Sequence, residues 1–227
     1  MVAILRLVGG GVFIVAVLLH VIGYATNSWV SSTLDSRGIE DVLQANGMST
    51  GGMGVQIEGM EIRLGLWKYC LTSMGQTKCE AAKADDTPDW MKGVQALGIL
   101  TMLISAVAVV LIVYDILGQG KGDRARLLPY FIGGLCVAAG LMLVVAVALY
   151  GENFTAMMDD QVSMMGTADP ALAPLAENLK EHTGLGWSFV LEAVSSVLMI
   201  IAAAVIALPV VRGCDDSLNL GSLNRAV

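Results

Sequence analysis

Charge is what this chain has least of. Only 15% of its 227 residues are Asp, Glu, Lys or Arg, where a soluble domain carries about 25%. That scarcity excludes a fold with water on all sides, and a lipid bilayer is the simplest solvent that fits. Basic charge is scarcer than acidic, 13 Lys and Arg against 20 Asp and Glu, for a net charge of −7. Nucleic acid is therefore excluded as a partner, because phosphate recognition needs clustered Lys and Arg. Four cysteines are too few for a disulfide scaffold, so their positions matter more than their number. No nucleophile, base and orienting group occur together outside the apolar stretches, so the chain reads as no enzyme, with no cofactor and no metal centre.

What is present in abundance is apolar length. Four runs stand out: Leu7–Ala25 (19 residues), Gly93–Tyr114 (22), Leu127–Tyr150 (24) and Trp187–Val211 (25, with one carboxylate, Glu192). At about 1.5 Å rise per residue each can cross a hydrocarbon core of roughly 30 Å. None alternates polar and apolar like a barrel strand, so the expectation is four transmembrane helices. Arg6 in front of the first run and Gly23 and Ala25 near its end imitate a signal peptide. Its apolar stretch exceeds the usual 7–15 residues and opens with Gly9, Gly10 and Gly11, which favours a retained span.

Orientation follows from the basic residues. The N-terminus, the segment Asp115–Arg126 and the tail 212–227 hold Arg6, Lys121, Arg124, Arg126, Arg212 and Arg225 in about 34 positions. The segments 26–92 and 151–186 hold the other seven in about 103. The positive-inside rule places both termini in the cytoplasm and these two longer loops outside. Both outer loops are acidic, with net charges of −3 and −5.

With this topology Cys70 and Cys79 are the two cysteines on the oxidising side. Cys136 falls in the third span and Cys214 just past the fourth, so a Cys70–Cys79 disulfide is expected, closing a ten-residue ring worth roughly 2–3 kcal/mol. Ahead of it Ile62, Leu64 and Leu66 alternate with Glu61, Arg63 and Gly65, the period of a half-buried strand. Val55–Glu58 is a shorter candidate. A small antiparallel sheet that needs the disulfide and the membrane for support is the expected result. Trp29 and Trp90 stand at the two membrane entries of this loop, where indole rings prefer the interface. The glycine-rich stretch Ser49–Gly54 reads as an insertion and not a binding loop.

Taken together, Trp29, then Gly65-Leu66-Trp67, then Cys70 and Cys79 on a four-span background resemble the signature of the claudin superfamily. That group includes the peripheral myelin and epithelial membrane proteins and the gamma subunits of voltage-gated calcium channels. Gly93-Val94-Gln95-Ala96-Leu97 is similar to the start of the second span in epithelial membrane proteins, and Gly186-Trp187-Ser188-Phe189 to the start of the fourth in the myelin and gamma branches. The resemblance implies a single claudin-like membrane domain: a four-transmembrane-helix bundle with a small extracellular antiparallel β-sheet. It also implies a role for Trp67 in anchoring that sheet to the membrane, beside the plainer reading of a packing residue. The 35 residues between Trp29 and Gly65 exceed what claudins usually have and approach the gamma subunits.

Other residues carry two readings each. Glu192 lies about five residues into the fourth span and His20 about five from the outer end of the first. They sit at similar depth and can pair, but a structural carboxylate, or one snorkelling to the interface, is the favoured reading. Asn153-Phe154-Thr155 is a glycosylation sequon that stands close to the third span, which favours its being unused. Cys214 is a palmitoylation candidate. Gly118–Gly122 imitates a phosphate loop without a preceding strand and reads as a turn; Asp85, Asp86 and Asp89 read as a solvated acidic turn before a calcium site.

The function implied by the resemblance is that of a plasma-membrane junction or adhesion protein. Its partners would be the bilayer and like or related claudin-type chains in the same and opposing membranes, and it would contribute to a paracellular barrier or ion-selective path. Acidic outer loops would favour cations, with Glu58 and Glu61 as the best-placed charges and Arg63 as a partial counter-charge to Glu61. The alternatives are an auxiliary channel subunit and a myelin-type organiser of membrane. Val227 at the terminus offers a weak match to a PDZ pocket, since Arg225 stands where Ser or Thr is commonest.

Overall fold

The computed structural model of the chain describes residues 2–34, 60–73, 75–83, 85, 87–117, 124–168 and 180–223. Helix α1 runs Val2–Ala25, α2 Asp89–Ile116, α3 Arg124–Ala168 and α4 Trp187–Leu223. Each contains a stretch long and apolar enough to cross a membrane. Five strands form one antiparallel sheet: β1 Val30–Leu34, β2 Met60–Leu64, β3 Lys68–Ser73, β4 Gln76–Ala81 and β5 Thr183–Leu185, in the order β4-β3-β2-β1-β5. The chain divides into two units, and the described residues of each are taken in turn.

The first unit comprises parts of Met1–Val21, Ala96–Ala146 and Leu191–Val227. Its core holds Phe13 and Ala16 of α1, Ala108 and Ile112 of α2, Cys136, Ala139 and Leu143 of α3, and Met199, Ala202 and Ala203 of α4. Outward-facing positions are as apolar as inward ones: Leu103 is 61% and Val110 66% exposed, while Thr101, Ser105 and Ser195 are fully buried. A surface of that kind suits lipid, where association rests on close packing and internal polar bonds instead of a hydrophobic gradient. Small residues allow the approach. A Cβ on Gly140 would stand 2.8 Å from Ile200 Cγ1 and 3.2 Å from the Ser196 carbonyl. Arg6 and Asp115 pair at 3.4 Å.

The second unit comprises parts of Ile22–Gln95 and Val147–Val190. Here α2 begins at Asp89 behind Pro88, with Lys92 reaching back to Asp89 at 3.2 Å. Proline preset for the first turn and an acidic residue beside the exposed amide groups are the expected opening of a helix. In the sheet, β1 pairs with β2, Val30 opposite Leu64, and with β5, Val30 opposite Leu185.

One strand expectation is corrected, and two segments beyond the apolar runs are helical. Residues 151–168, within the loop expected outside, continue α3 as helix. Hydropathy marks where lipid contact ends, whereas the helix persists as long as its backbone bonds remain intact; Asp159 and Asp160 are exposed on this extension. Likewise α4 continues past Val211 to Leu223, into the expected tail. The strand expected through Leu66 is β2, ending at Leu64, so Gly65 does not share a strand face with Glu61 and Arg63. The candidate strand Val55–Glu58, the stretch Ser49–Gly54, Asp86, Gly118–Gly122 and Val227 lie outside the described residues.

Candidate functional site: the disulfide-linked sheet and its tryptophan anchor

The hairpin β3–β4 turns through Gly75, whose φ of 72° is the left-handed conformation glycine adopts without strain. Its register places Cys70 directly opposite Cys79, and the two form a disulfide. Cys70 is buried while every residue of β4 is exposed, so the bond ties an exposed edge strand to a partly packed neighbour. Asn27 Nδ2 lies 3.5 Å from Cys70 Sγ.

Gly65-Leu66-Trp67 crosses from β2 to β3. The Gly65 amide donates to the Lys68 carbonyl at 3.0 Å, and the Ala82 amide donates to the Trp67 carbonyl at 2.9 Å. Gln95 at the start of α2 donates its side-chain amide to the Leu66 carbonyl, and the Tyr24 hydroxyl at the end of α1 donates to the Gln95 carbonyl at 2.6 Å. Leu66 is fully buried. Trp67 is 41% exposed, its ring edge-on to Tyr24 at 5.5 Å between centroids. Gly65 is required by space: a Cβ there would stand 2.7 Å from Asn27 Cα and 3.2 Å from the Lys68 carbonyl. Backbone atoms on that scale cannot step aside as a flexible side chain can.

Trp29 departs from the expectation of an interfacial ring. It is 1% exposed, and its indole N–H donates to the Gly23 carbonyl at 3.0 Å. Tyr150 lies 4.7 Å away between ring centroids, tilted, and Phe189 6.1 Å away, edge-on. Trp90 and Phe154 extend the cluster through Tyr150. Such offset and edge-on pairs are worth about 0.5–1.5 kcal/mol each beyond the area they bury. The Trp29 carbonyl accepts from the Gly186 amide at 2.8 Å, and the Ser28 carbonyl from the Ser188 amide at 3.1 Å. A Cβ on Gly186 would collide with the Ser28 carbonyl oxygen. Gly186-Trp187-Ser188 thus fits against Ser28-Trp29 backbone to backbone, a reason for these three residues that the sequence does not show.

A model of the PMP-22/EMP/MP20/Claudin family matches residues 3–206. The chain belongs to this family. It is 25% identical over 97 residues to Epithelial membrane protein 1 of Rattus norvegicus, a match covering 43% of this chain and 56% of that relative. The chain thus spans just over half the length of the relative it matches. Family membership, four apolar helices and the sheet between the first and second together describe a multi-pass membrane protein of claudin-like fold.

The remaining residues singled out from the sequence are dispersed over this claudin-family chain. Glu61 forms a two-pronged ion pair with Arg63, at 2.7 and 3.0 Å. The carboxylate, through that hydrogen bond and its charge, raises the Arg63 guanidinium above its ordinary value. Glu58 lies outside the described residues. Asn153 sits in α3, and its side-chain nitrogen, the atom a glycan would occupy, donates to the Leu149 carbonyl at 2.8 Å. Cys214 falls within α4, with its side chain outside the described residues. Asp85 is exposed in a turn and Asp89 is held by Lys92; among the described residues no three His, Cys, Asp or Glu side chains are grouped to hold a metal ion. His20 Nδ1 lies 2.6 Å from Glu192 Oε2, and both side chains are fully buried, so the carboxylate faces the imidazole instead of reaching toward the interface.

Proposed function

We propose that this chain is a plasma-membrane protein of cell–cell contacts, with its sheet outside, both termini in the cytoplasm, and the sheet as its joining surface. The observation that carries this reading is the open edge of β4. Among the described residues it ends the strand order, all six of its residues are exposed, and it carries no proline. An unprotected edge presents unpaired amide and carbonyl groups to another strand. Lys78 and Glu80 lie two residues apart on one strand face. Two copies set antiparallel can therefore place each Lys78 opposite the partner's Glu80, and opposite charges across a ladder contribute to pairing.

The test is a tagged chain expressed in an epithelial sheet. Continuous staining of cell contacts in the wild type, lost in Lys78→Glu and restored in Lys78→Glu with Glu80→Lys, supports the reading; diffuse staining in all three rejects it. The acidic outer loops would then favour cations along a paracellular path. Because Arg63 occupies the Glu61 carboxylate, Glu58→Gln should lower the sodium-to-chloride permeability ratio more than Glu61→Gln. A wild-type chain that reaches contacts but leaves the ratio at the untransfected value removes the permeability role and leaves adhesion. A myelin-type membrane-organising role is the second reading. An auxiliary channel subunit would instead co-purify with a pore-forming chain.

A further inference from the structure

Three helix faces of the first unit bring polar groups together. His20 of α1 and Glu192 of α4 are both fully buried, with Nδ1 2.6 Å from Oε2. The other ring nitrogen, Nε2, lies 3.3 Å from the Gly98 carbonyl of α2. One turn further along α4, Ser195 donates to the Ala16 carbonyl of α1 at 2.8 Å. Thr101 and Ser105 of α2 are fully buried as well, while α3 contributes Leu143 and Ala146 to the buried face of the unit. Among the described buried residues of this unit only His20, Glu192 and Cys136 can titrate, and none is Lys or Arg.

Proton accounting restricts what the pair can be. A carbonyl only accepts, so the contact with Gly98 puts a hydrogen on Nε2. The short Nδ1–Oε2 contact needs one further proton between the two atoms. Two states satisfy this: imidazolium with carboxylate, or neutral imidazole with carboxylic acid. The remaining oxygen decides between them. Glu192 Oε1 is buried with no hydrogen-bond partner among the described residues. A carboxylate spreads its charge over both oxygens, so the ionic state leaves half an anion facing an apolar interior without a donor. The neutral state leaves only a carbonyl oxygen there, and the cost of burying it unpaired is far smaller.

We propose that His20 and Glu192 form an intramembrane proton-binding site, in which Glu192 is a neutral carboxylic acid that donates from Oε2 to Nδ1 of a neutral, Nε2-protonated His20. The ligand is a single proton, and the site carries no net charge. Holding it links α1, α2 and α4 through one chain of bonds: acid to imidazole, imidazole to the Gly98 carbonyl. It works as a polar lock that specifies which faces of the three helices dock, because any other rotation leaves these groups unpaired in lipid.

Two measurements on the full chain in detergent or nanodiscs test this. Nitrogen NMR of labelled histidine should show His20 as the neutral tautomer with one protonated nitrogen; a ring with both nitrogens protonated near neutral pH overturns the proposal. Infrared difference spectra of wild type against Glu192→Gln should contain a protonated carboxyl stretch that the variant lacks; its absence equally overturns it. The variants provide a separate readout. Glu192→Gln keeps a neutral donor toward Nδ1 and should retain wild-type folded yield, whereas Glu192→Leu and His20→Leu should each lose it several-fold. Equal yield of all three rejects the lock, and loss in Glu192→Gln equal to that in Glu192→Leu rejects the neutral-donor state.

Discussion

In the helical unit Thr101, Ser105 and Ser195 are buried while Leu103 and Val110 lie exposed; in the sheet-bearing unit Trp29, Leu66 and Cys70 are buried while all of β4 is exposed. The first pattern is inverted relative to a water-soluble protein and the second follows it. Lipid does not drive apolar helices together, so the helical unit relies on small residues and on a few internal polar bonds. The sheet is too small to make a core, so it relies on a disulfide, an aromatic cluster and backbone-to-backbone contacts around Gly65 and Gly186. The lesson is that side-chain identity should be far less negotiable in the second unit than in the first.

The most severe way to break the comparison is Gly186→Ala. Its Cβ meets the Ser28 carbonyl and the Trp29 backbone, which cannot give, so a loss of more than about 4 kcal/mol is expected, read as absence of the chain from surface biotinylation. Wild-type surface levels would show that the contact yields. Trp29→Ala should follow at roughly 3–5 kcal/mol, seen as a lower unfolding temperature. Trp29→Phe should fall between, because it keeps the ring contacts and gives up the bond to Gly23.

Cys70→Ser is expected to cost about 2–4 kcal/mol. Cys79→Ser and the double replacement should match it, since a single bond is lost in all three; non-reducing protease mapping and thermal unfolding check this together. A sharper contrast comes from Gly140→Ala in the helical unit. The added methyl meets the Ile200 side chain at Cγ1 first and the Ser196 carbonyl only at 3.2 Å, so an overpacking cost of about 1–3 kcal/mol is expected. If Gly140→Ala proves as damaging as Gly186→Ala, the distinction between the units fails. Smallest should be Arg63→Ala. With Arg63 49% and Glu61 30% exposed at the side chain, the pair is worth about 0–1 kcal/mol. Its removal should leave the unfolding temperature nearly unchanged while releasing the Glu61 charge, measurable as a rise in cation preference if the chain forms a path.

Much of this fold was legible beforehand, and the reasons differ by element. The four spans were readable because apolar length is a property of composition alone. Strand β2 was readable because Ile62 and Leu64 alternate with Glu61 and Arg63. Strands β3 and β4, Lys68–Ser73 and Gln76–Ala81, carry mostly polar residues, since one lies beside the edge and the other forms it, and no periodicity marks them. Strand β1, with two serines and a threonine in Val30–Leu34, is hidden for a similar reason: Ser32 is buried and accepts from the Thr183 hydroxyl at 2.7 Å.

The sequence by itself determined the solvent of this protein, its number of spans and its disulfide, because hydropathy and cysteine placement act locally or through simple topology. Only the tertiary structure decided that Trp29 is a packing residue and not an interfacial one, since its environment comes from Tyr150 and Phe189, more than a hundred residues away. It alone decided that Gly186 is irreplaceable, because the colliding atom belongs to Ser28. The same holds for His20 and Glu192, separated by 172 residues. Depth in the membrane could suggest that they meet; which oxygen is bonded and which is left open depends on helix rotation, and the packing of every neighbouring side chain sets that rotation.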